Sequence, residues 1–186
     1  MHPVRTAALL IVALVATAGA IAVAQPGGDR IRNRAALASL EDGSGNSIGR
    51  VTFRQLRTGG TVTVSARVRG LPAGFHGFHV HEAGKCEGPA FTTALGHLRR
   101  EGQTHANHLG DLPTLLVNED GRGKLSASTD RFKLSDLRDG DGSAVIVHAN
   151  PDNYANIPTD RYTPAPDQMT LDTGDAGPRL ACGRVR

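Results

Sequence analysis

Tryptophan is absent from this 186-residue chain, and aromatics are scarce, with two Tyr and five Phe. Basic clusters are few as well: the segment Arg30–Arg34 and the pair Arg99–Arg100. Neither is interleaved with aromatics, so the stacking and phosphate contacts that mark a nucleic-acid binder are missing, and the net charge of +3 reads as dispersed, solvated surface charge. The chain also lacks an internal repeat and any sustained helical period. Cysteine is limited to Cys86 and Cys182. No cysteine closely follows the N-terminal apolar run, which argues against a lipoprotein anchor.

That N-terminal run is the first positive feature. Arg5 precedes an uncharged, mostly apolar stretch from Thr6 to Ala24, and Ala22-Val23-Ala24 supplies small residues of the A-x-A kind. The pattern predicts a signal peptide over residues 1–24, cut near Gln25, or, given its length, an uncleaved membrane anchor. Residues 25–34 read as a flexible linker and 35–186 as one domain. An exported chain meets an oxidising compartment, where an even cysteine count favours a disulfide over a pair of buried thiols. Joining Cys86 to Cys182 closes a loop with a sequence separation of 96.

Within the domain, apolar and polar residues alternate. "SIGRVTFRQL" and "GTVTVSARVRG" form a hairpin pattern about "RTG", and "FHGFHVH", "PTLLVN", "GKLSAS" and "SAVIVHA" follow. Short strands broken by Gly-rich turns predict an all-β sandwich or closed barrel. Two long stretches do not alternate, Glu82 to Leu112 and Asn150 to Arg179, and loops of that length are usually functional.

The histidines gather there. Leaving out His2, all seven others lie in those loops or on the strands leading into them. His79 and His81 are two apart on a strand, so both leave the same face. His148 ends the apolar strand "AVIVH". The segment "HLRREGQTHANHLGD" supplies His97, His105, His108 and Asp111, and three imidazoles with a carboxylate make a sound tetrahedral zinc set. The four imidazoles His79, His81, His97 and His148 suit Cu(II), which favours nitrogen in tetragonal arrangements. His97 is common to both sets, and one imidazole can serve two metals once both its nitrogens are deprotonated.

These motifs resemble the copper–zinc superoxide dismutase family, of the bacterial, exported kind, from about Ala35 to Arg186. "GFHGFHVHEAGKC", "GHL" with "HLGDLP", "VIVHANPDN" and "GDAGPRLACG" stand in the family's order. The resemblance implies an eight-stranded Greek-key flattened barrel with two long functional loops. It implies copper on His79, His81, His97 and His148, and zinc on His97, His105, His108 and Asp111, with His97 bridging. It makes Arg179 and His97 catalytic, pairs Cys86 with Cys182, gives Asp152 a link between a copper histidine and a zinc histidine, and makes His76 structural rather than a ligand. The implied reaction is dismutation of superoxide to O2 and hydrogen peroxide outside the cytoplasm, by a secreted, periplasmic or envelope-associated monomer or homodimer. Losing a copper ligand or the arginine would favour a noncatalytic copper-binding module; a zinc hydrolase would leave His79, His81 and His148 without a purpose. The chain departs from the family in the short spacing of His105 and His108, where a piece of the zinc subloop is missing, and in a longer stretch from Asn150 to Arg179.

Overall fold

The computed structural model describes residues 34–186 apart from Tyr162. The expected signal peptide and all of the linker but Arg34 lie outside the described residues. The chain divides into units Met1–Arg30 and Ile31–Arg186, and the second carries every element below. Among the described residues, no helix is long and apolar enough to cross a membrane.

Nine strands form: β1 Arg34–Asp42, β2 Ser47–Leu56, β3 Gly59–Val68, β4 Gly74–His76, β5 Phe78–His81, β6 Leu115–Val117, β7 Gly123–Thr129, β8 Ala144–His148 and β9 Arg179–Arg184. They make one antiparallel sheet in the order β4-β6-β7-β3-β2-β1-β9-β8-β5. Its two ends, β4 and β5, are halves of a single alternating run that changes partners at Gly77. β4 pairs with β6, and β5 pairs with β8. The run therefore joins the two ends of the sheet, and this division is why nine strands stand where the sequence predicts eight. Gly77 donates its N–H to Asn150 O (2.7 Å) and accepts from His148 N–H (2.8 Å). A Cβ there would lie 2.6 Å from that of Ala176, so no side chain fits at the junction. The jump from β3 to β4, past β7 and β6, and the crossing from β7 to β8 give the Greek-key connectivity.

Alternation drives the packing. In β2 and β3, Val51, Phe53, Val62, Val64 and Ala66 point inward and are buried, while Arg50, Arg54, Thr63 and Arg67 face solvent. Phe53 meets Phe132 edge-to-face at 6.1 Å near the barrel centre. Two strands carry no clear alternation in sequence. In β1, "RAALASLED", Ala36, Ala38 and Leu40 are buried, but Leu37 is apolar and 44% exposed, which hides the period of two. β9 combines "RLACGR" with the disulfide and is read from its motif rather than its pattern. The loop from β8 to β9 contains a 3-10 turn at Thr159–Arg161 and one short α-helix, α1 Gln168–Thr173. Asp167 caps it by accepting from Thr170 N–H (2.8 Å), and Gly174 stops it with φ 71°.

The loop after β5 is laid along that strand as if it were two more strands. His81 bridges to His97, and His79 to Asp111. Leu98 N–H donates to Val80 O (2.8 Å), Val80 N–H to Gly110 O (2.9 Å) and Gly110 N–H to Leu98 O (2.8 Å). A Cβ on Gly110 would sit 2.1 Å from Val80 O, so glycine permits this approach. Cys86 and Cys182 are bonded, with their Cα atoms 5.6 Å apart, which ties the same loop to β9.

Candidate metal centre

Two clusters converge. His79, His81, His97 and His148 each offer an atom within 4.8 Å of the others, as do His97, His105, His108 and Asp111. All seven side chains are buried except Asp111, which is intermediate. His97 belongs to both groups. The seven residues named as ligands from the sequence are thus brought together, and His76 is set apart. Its two ring nitrogens face the carbonyl oxygens of His148 (2.7 Å) and Pro72 (2.9 Å), which leaves neither free.

The hydrogen bonds around the first cluster dictate which nitrogens carry protons. A carbonyl oxygen only accepts, so the ring nitrogen facing it is an N–H and, in a neutral ring, the other nitrogen is a bare lone pair. His81 Nδ1 donates to Leu95 O (2.8 Å) and His148 Nδ1 donates to Gly177 O (3.0 Å). Their Nε2 atoms face each other at 3.4 Å. His79 Nε2 is taken by Asp152 Oδ2 (2.5 Å), and its buried Nδ1 has no partner. His97 Nδ1 meets Asp111 Oδ1 (2.8 Å), which turns Nε2 toward the other three rings. In neutral rings these contacts leave one ring nitrogen of each histidine as a lone pair, and the four residues bring such atoms within 4.8 Å of one another.

Protons do not fill the gap. Burial pushes His148 down to about 3, reinforced by the neighbouring His79, and pushes His97 down to about 4 despite the hydrogen bond to Asp111. His81 is held well below the usual imidazole range, first by burial and then by His97. Converging unprotonated nitrogens repel unless a cation sits among them, so the residues fit a nitrogen-preferring metal such as Cu(II).

The second cluster has the opposite electrostatics. Burial lowers the affinity of His105 for a proton, but hydrogen bonds with Asp111 and Asp152 outweigh it and raise the pKa to about 9. Burial pushes Asp111 and Asp152 up, yet their imidazole partners hold both well below the usual carboxylate range. His105 Nε2 bonds Asp152 Oδ1 (2.7 Å), while Nδ1 lies 3.3 Å from Asp111 Oδ2. His108 Nδ1 is 3.4 Å from both His97 Nδ1 and Asp111 Oδ1. A carboxylate and three imidazoles at this spacing fit zinc. The Nε2 of His108 is buried without a partner, whereas the Nε2 of His105 is held by Asp152.

Asp152 joins the clusters, with one carboxylate oxygen on His79 and the other on His105. Tyr154 N–H donates to Oδ1 at 2.6 Å. Gly174 leaves room for the pair, since a Cβ would fall 2.5 Å from Asp152 Oδ1 and 2.6 Å from His105 Nε2. Asp152→Asn keeps the size but puts an amide nitrogen against one of two N–H groups. Titration with competing chelators is expected to show copper and zinc affinity both reduced by about 10-fold to 100-fold, the range for losing a contact that orients a ligand.

Arg179, at the start of β9, is anchored on the same loop. Its Nη1 donates to Phe91 O and its Nη2 to Leu95 O, each at 2.5 Å. Leu95 O also accepts from His81 Nδ1, so one carbonyl fixes both an imidazole of the first cluster and the guanidinium. The carbonyls of Leu95, Phe91 and Gly177 carry no mark in the sequence, because any residue supplies one.

An antiparallel β-barrel whose strand edges and loops gather two imidazole-rich centres around a common histidine defines a class of two-metal β-barrel proteins. The chain belongs to the copper/zinc superoxide dismutase family, whose description, Copper/zinc superoxide dismutase (SODC), matches over residues 47–185. A copper–zinc superoxide dismutase of Mycolicibacterium paratuberculosis is 45% identical over 141 residues, covering 67% of this chain and 62% of that protein. This chain thus matches less than two thirds of that relative's length. The copper–zinc superoxide dismutase of Escherichia coli K12 is 34% identical over 158 residues, covering 77% of this chain and 82% of its own. The crystal structure of a SOD-like protein from Bacillus subtilis superimposes with a TM-score of 0.63 at 28% identity, over 80% of this chain and 96% of that one.

Proposed function

We propose that this chain is an exported copper–zinc superoxide dismutase, with copper on His79, His81, His97 and His148, zinc on His97, His105, His108 and Asp111, and Arg179 and His97 as the catalytic side chains. The observation that carries the reading is the convergence of four buried histidines, each offering a ring nitrogen within 4.8 Å of the others, with the Arg179 guanidinium anchored on the carbonyl that also holds His81. When bound, copper supplies one-electron chemistry between Cu(II) and Cu(I), which zinc does not. Two superoxide anions and two protons then leave as O2 and hydrogen peroxide. Arg179 attracts the anion and orients it. Its half-burial lowers its pKa, but a guanidinium remains charged at any physiological pH. His97 has Nδ1 on the zinc side and Nε2 on the copper side, where it can hold a proton for the departing peroxide. The disulfide, the N-terminal apolar run and the bacterial and extracellular relatives support a place outside the cytoplasm, with residues 1–24 as the signal or a membrane tether.

The test follows superoxide decay with purified protein, metal-free and loaded with both metals, beside electron paramagnetic resonance of the cupric form. Catalysis only in the loaded protein and a nitrogen-rich cupric signal are expected; loss of either sinks the reading. Arg179→Ala is expected to lower the second-order rate about tenfold and flatten its dependence on ionic strength, because steering by charge is screened by salt. An unchanged salt dependence would remove Arg179 from that role.

A further inference from the structure

The zinc-side turn is short. Only Ala106 and Asn107 separate His105 from His108, and the turn has few internal ties. Asn107 N–H donates to Thr104 O (2.8 Å) and His108 N–H to Asp111 Oδ2 (3.0 Å). His108 O also accepts from Asp111 N–H at 3.4 Å, and Ala106 O has no backbone partner within the turn. Arg131 takes both, its Nη1 lying 2.6 Å from Ala106 O and 3.1 Å from His108 O.

Arg131 is rooted in the barrel. It lies two residues after the end of β7, its own N–H reaches Thr129 Oγ1 (3.2 Å), and the next residue, Phe132, is buried against Phe53. Beside the turn lies a groove of about 290 Å³, lined by Ala106, Asp111, Arg131 and Tyr154 among others. The Nε2 of His108 is buried without a partner, whereas that of His105 is held by Asp152, so the place of His108 depends more on the backbone that carries it.

We propose that Arg131 is a positioning residue for zinc: by gripping the two carbonyls it keeps the short His105–His108 turn in its metal-binding shape, in place of the longer subloop. This rests on the zinc assignment above. The arginine touches no residue of the copper-facing set other than through that turn, so its loss acts on one metal. A cation near a second cation gives no attraction; the effect is geometric. Lysine keeps a charged donor and preserves part of it, while alanine and glutamine do not.

The experiment loads wild type, Arg131→Ala, Arg131→Gln and Arg131→Lys with copper and zinc and follows zinc transfer to a chromophoric chelator. In parallel, cobalt(II) is placed in the zinc site and its visible absorption read. Zinc release about tenfold faster is expected in the alanine and glutamine variants, with lysine between them and wild type. The cobalt spectrum shifts in both, while the cupric resonance and the thermal midpoint of the metal-free protein stay within about 2 °C of wild type. Release at the wild-type rate in the alanine or glutamine variant overturns the proposal. So does an equal loss of copper, or a drop in metal-free stability large enough to account for the faster release. If alanine fails to fold, the glutamine variant decides by the same readings. Wild-type protein that takes up no zinc overturns the zinc assignment itself, and the proposal with it.

Discussion

Replacing His148 by alanine is expected to bring superoxide decay in the copper-loaded chain down to the level of the metal-free protein, at least about 10³-fold, as for removing one member of a catalytic unit. His148 ends β8, all five residues of which are buried, and it belongs to the first cluster alone. Its Nδ1 bond to Gly177 O commits Nε2 to the cluster, so no other nitrogen of that ring can substitute. Alanine leaves the Gly177 carbonyl unpaired at a half-open position and removes one of four nitrogens. The second cluster does not include His148, so zinc content should remain. The check combines metal analysis, the cupric resonance and the rate on the same sample. A variant that retains nitrogen-rich copper and full turnover would show that the ligand set is wrong, not only one member of it.

Much of this arrangement was legible in the sequence, because side chains with rare chemistry carry it. The H-x-H of His79 and His81 needs a strand to place both rings on one face, and β5 does so. The cluster from His97 to Asp111 is dense enough to be read without knowing its shape. What the sequence hid is of two kinds. The backbone groups that orient the rings, Leu95 O and Gly177 O, have no residue code. The partner change at Gly77 is also silent, since a glycine in an alternating run shows neither its two neighbours nor the Ala176 contact that demands it. β1 was hidden by Leu37, whose exposed apolar side chain fills in the alternation. The helix α1 did leave a trace, an Asp167 cap and a Gly174 stop around six residues, but a single turn or two is too short to show a period. Arg131 was invisible for another reason: nothing in an isolated arginine says that its partners are carbonyls on a distant loop.

Removing the disulfide is expected to destabilise the metal-free protein by about 4 kcal/mol, the size of the chain-entropy effect for closing a loop of this length. The bond links residues separated by 96 positions, so the unfolded chain gains most of the freedom that the link denies it. In a domain of this size each kcal/mol moves the thermal midpoint by about 2–4 °C, so a Cys86→Ser/Cys182→Ser variant should melt about 8–16 °C lower. A second consequence is local. Arg179 starts β9, three residues before Cys182, while its carbonyl partners Phe91 and Leu95 lie in the loop that holds Cys86. The disulfide is therefore the covalent tie between the guanidinium and its seat. Without it, the midpoint should fall and the salt dependence of superoxide decay should weaken together, even in protein that keeps its copper. Phe91, Ala94, Ala144, Ile146 and Cys182 pack as a small apolar cluster beside the bond, so serine in place of Cys182 also puts a hydroxyl into that cluster. Alanine at both positions separates the two effects: it removes the covalent tie without burying a polar group. A midpoint within about 3 °C of wild type in the double alanine variant would mean that the loop is held by its hydrogen bonds to β5 rather than by the sulfur bridge.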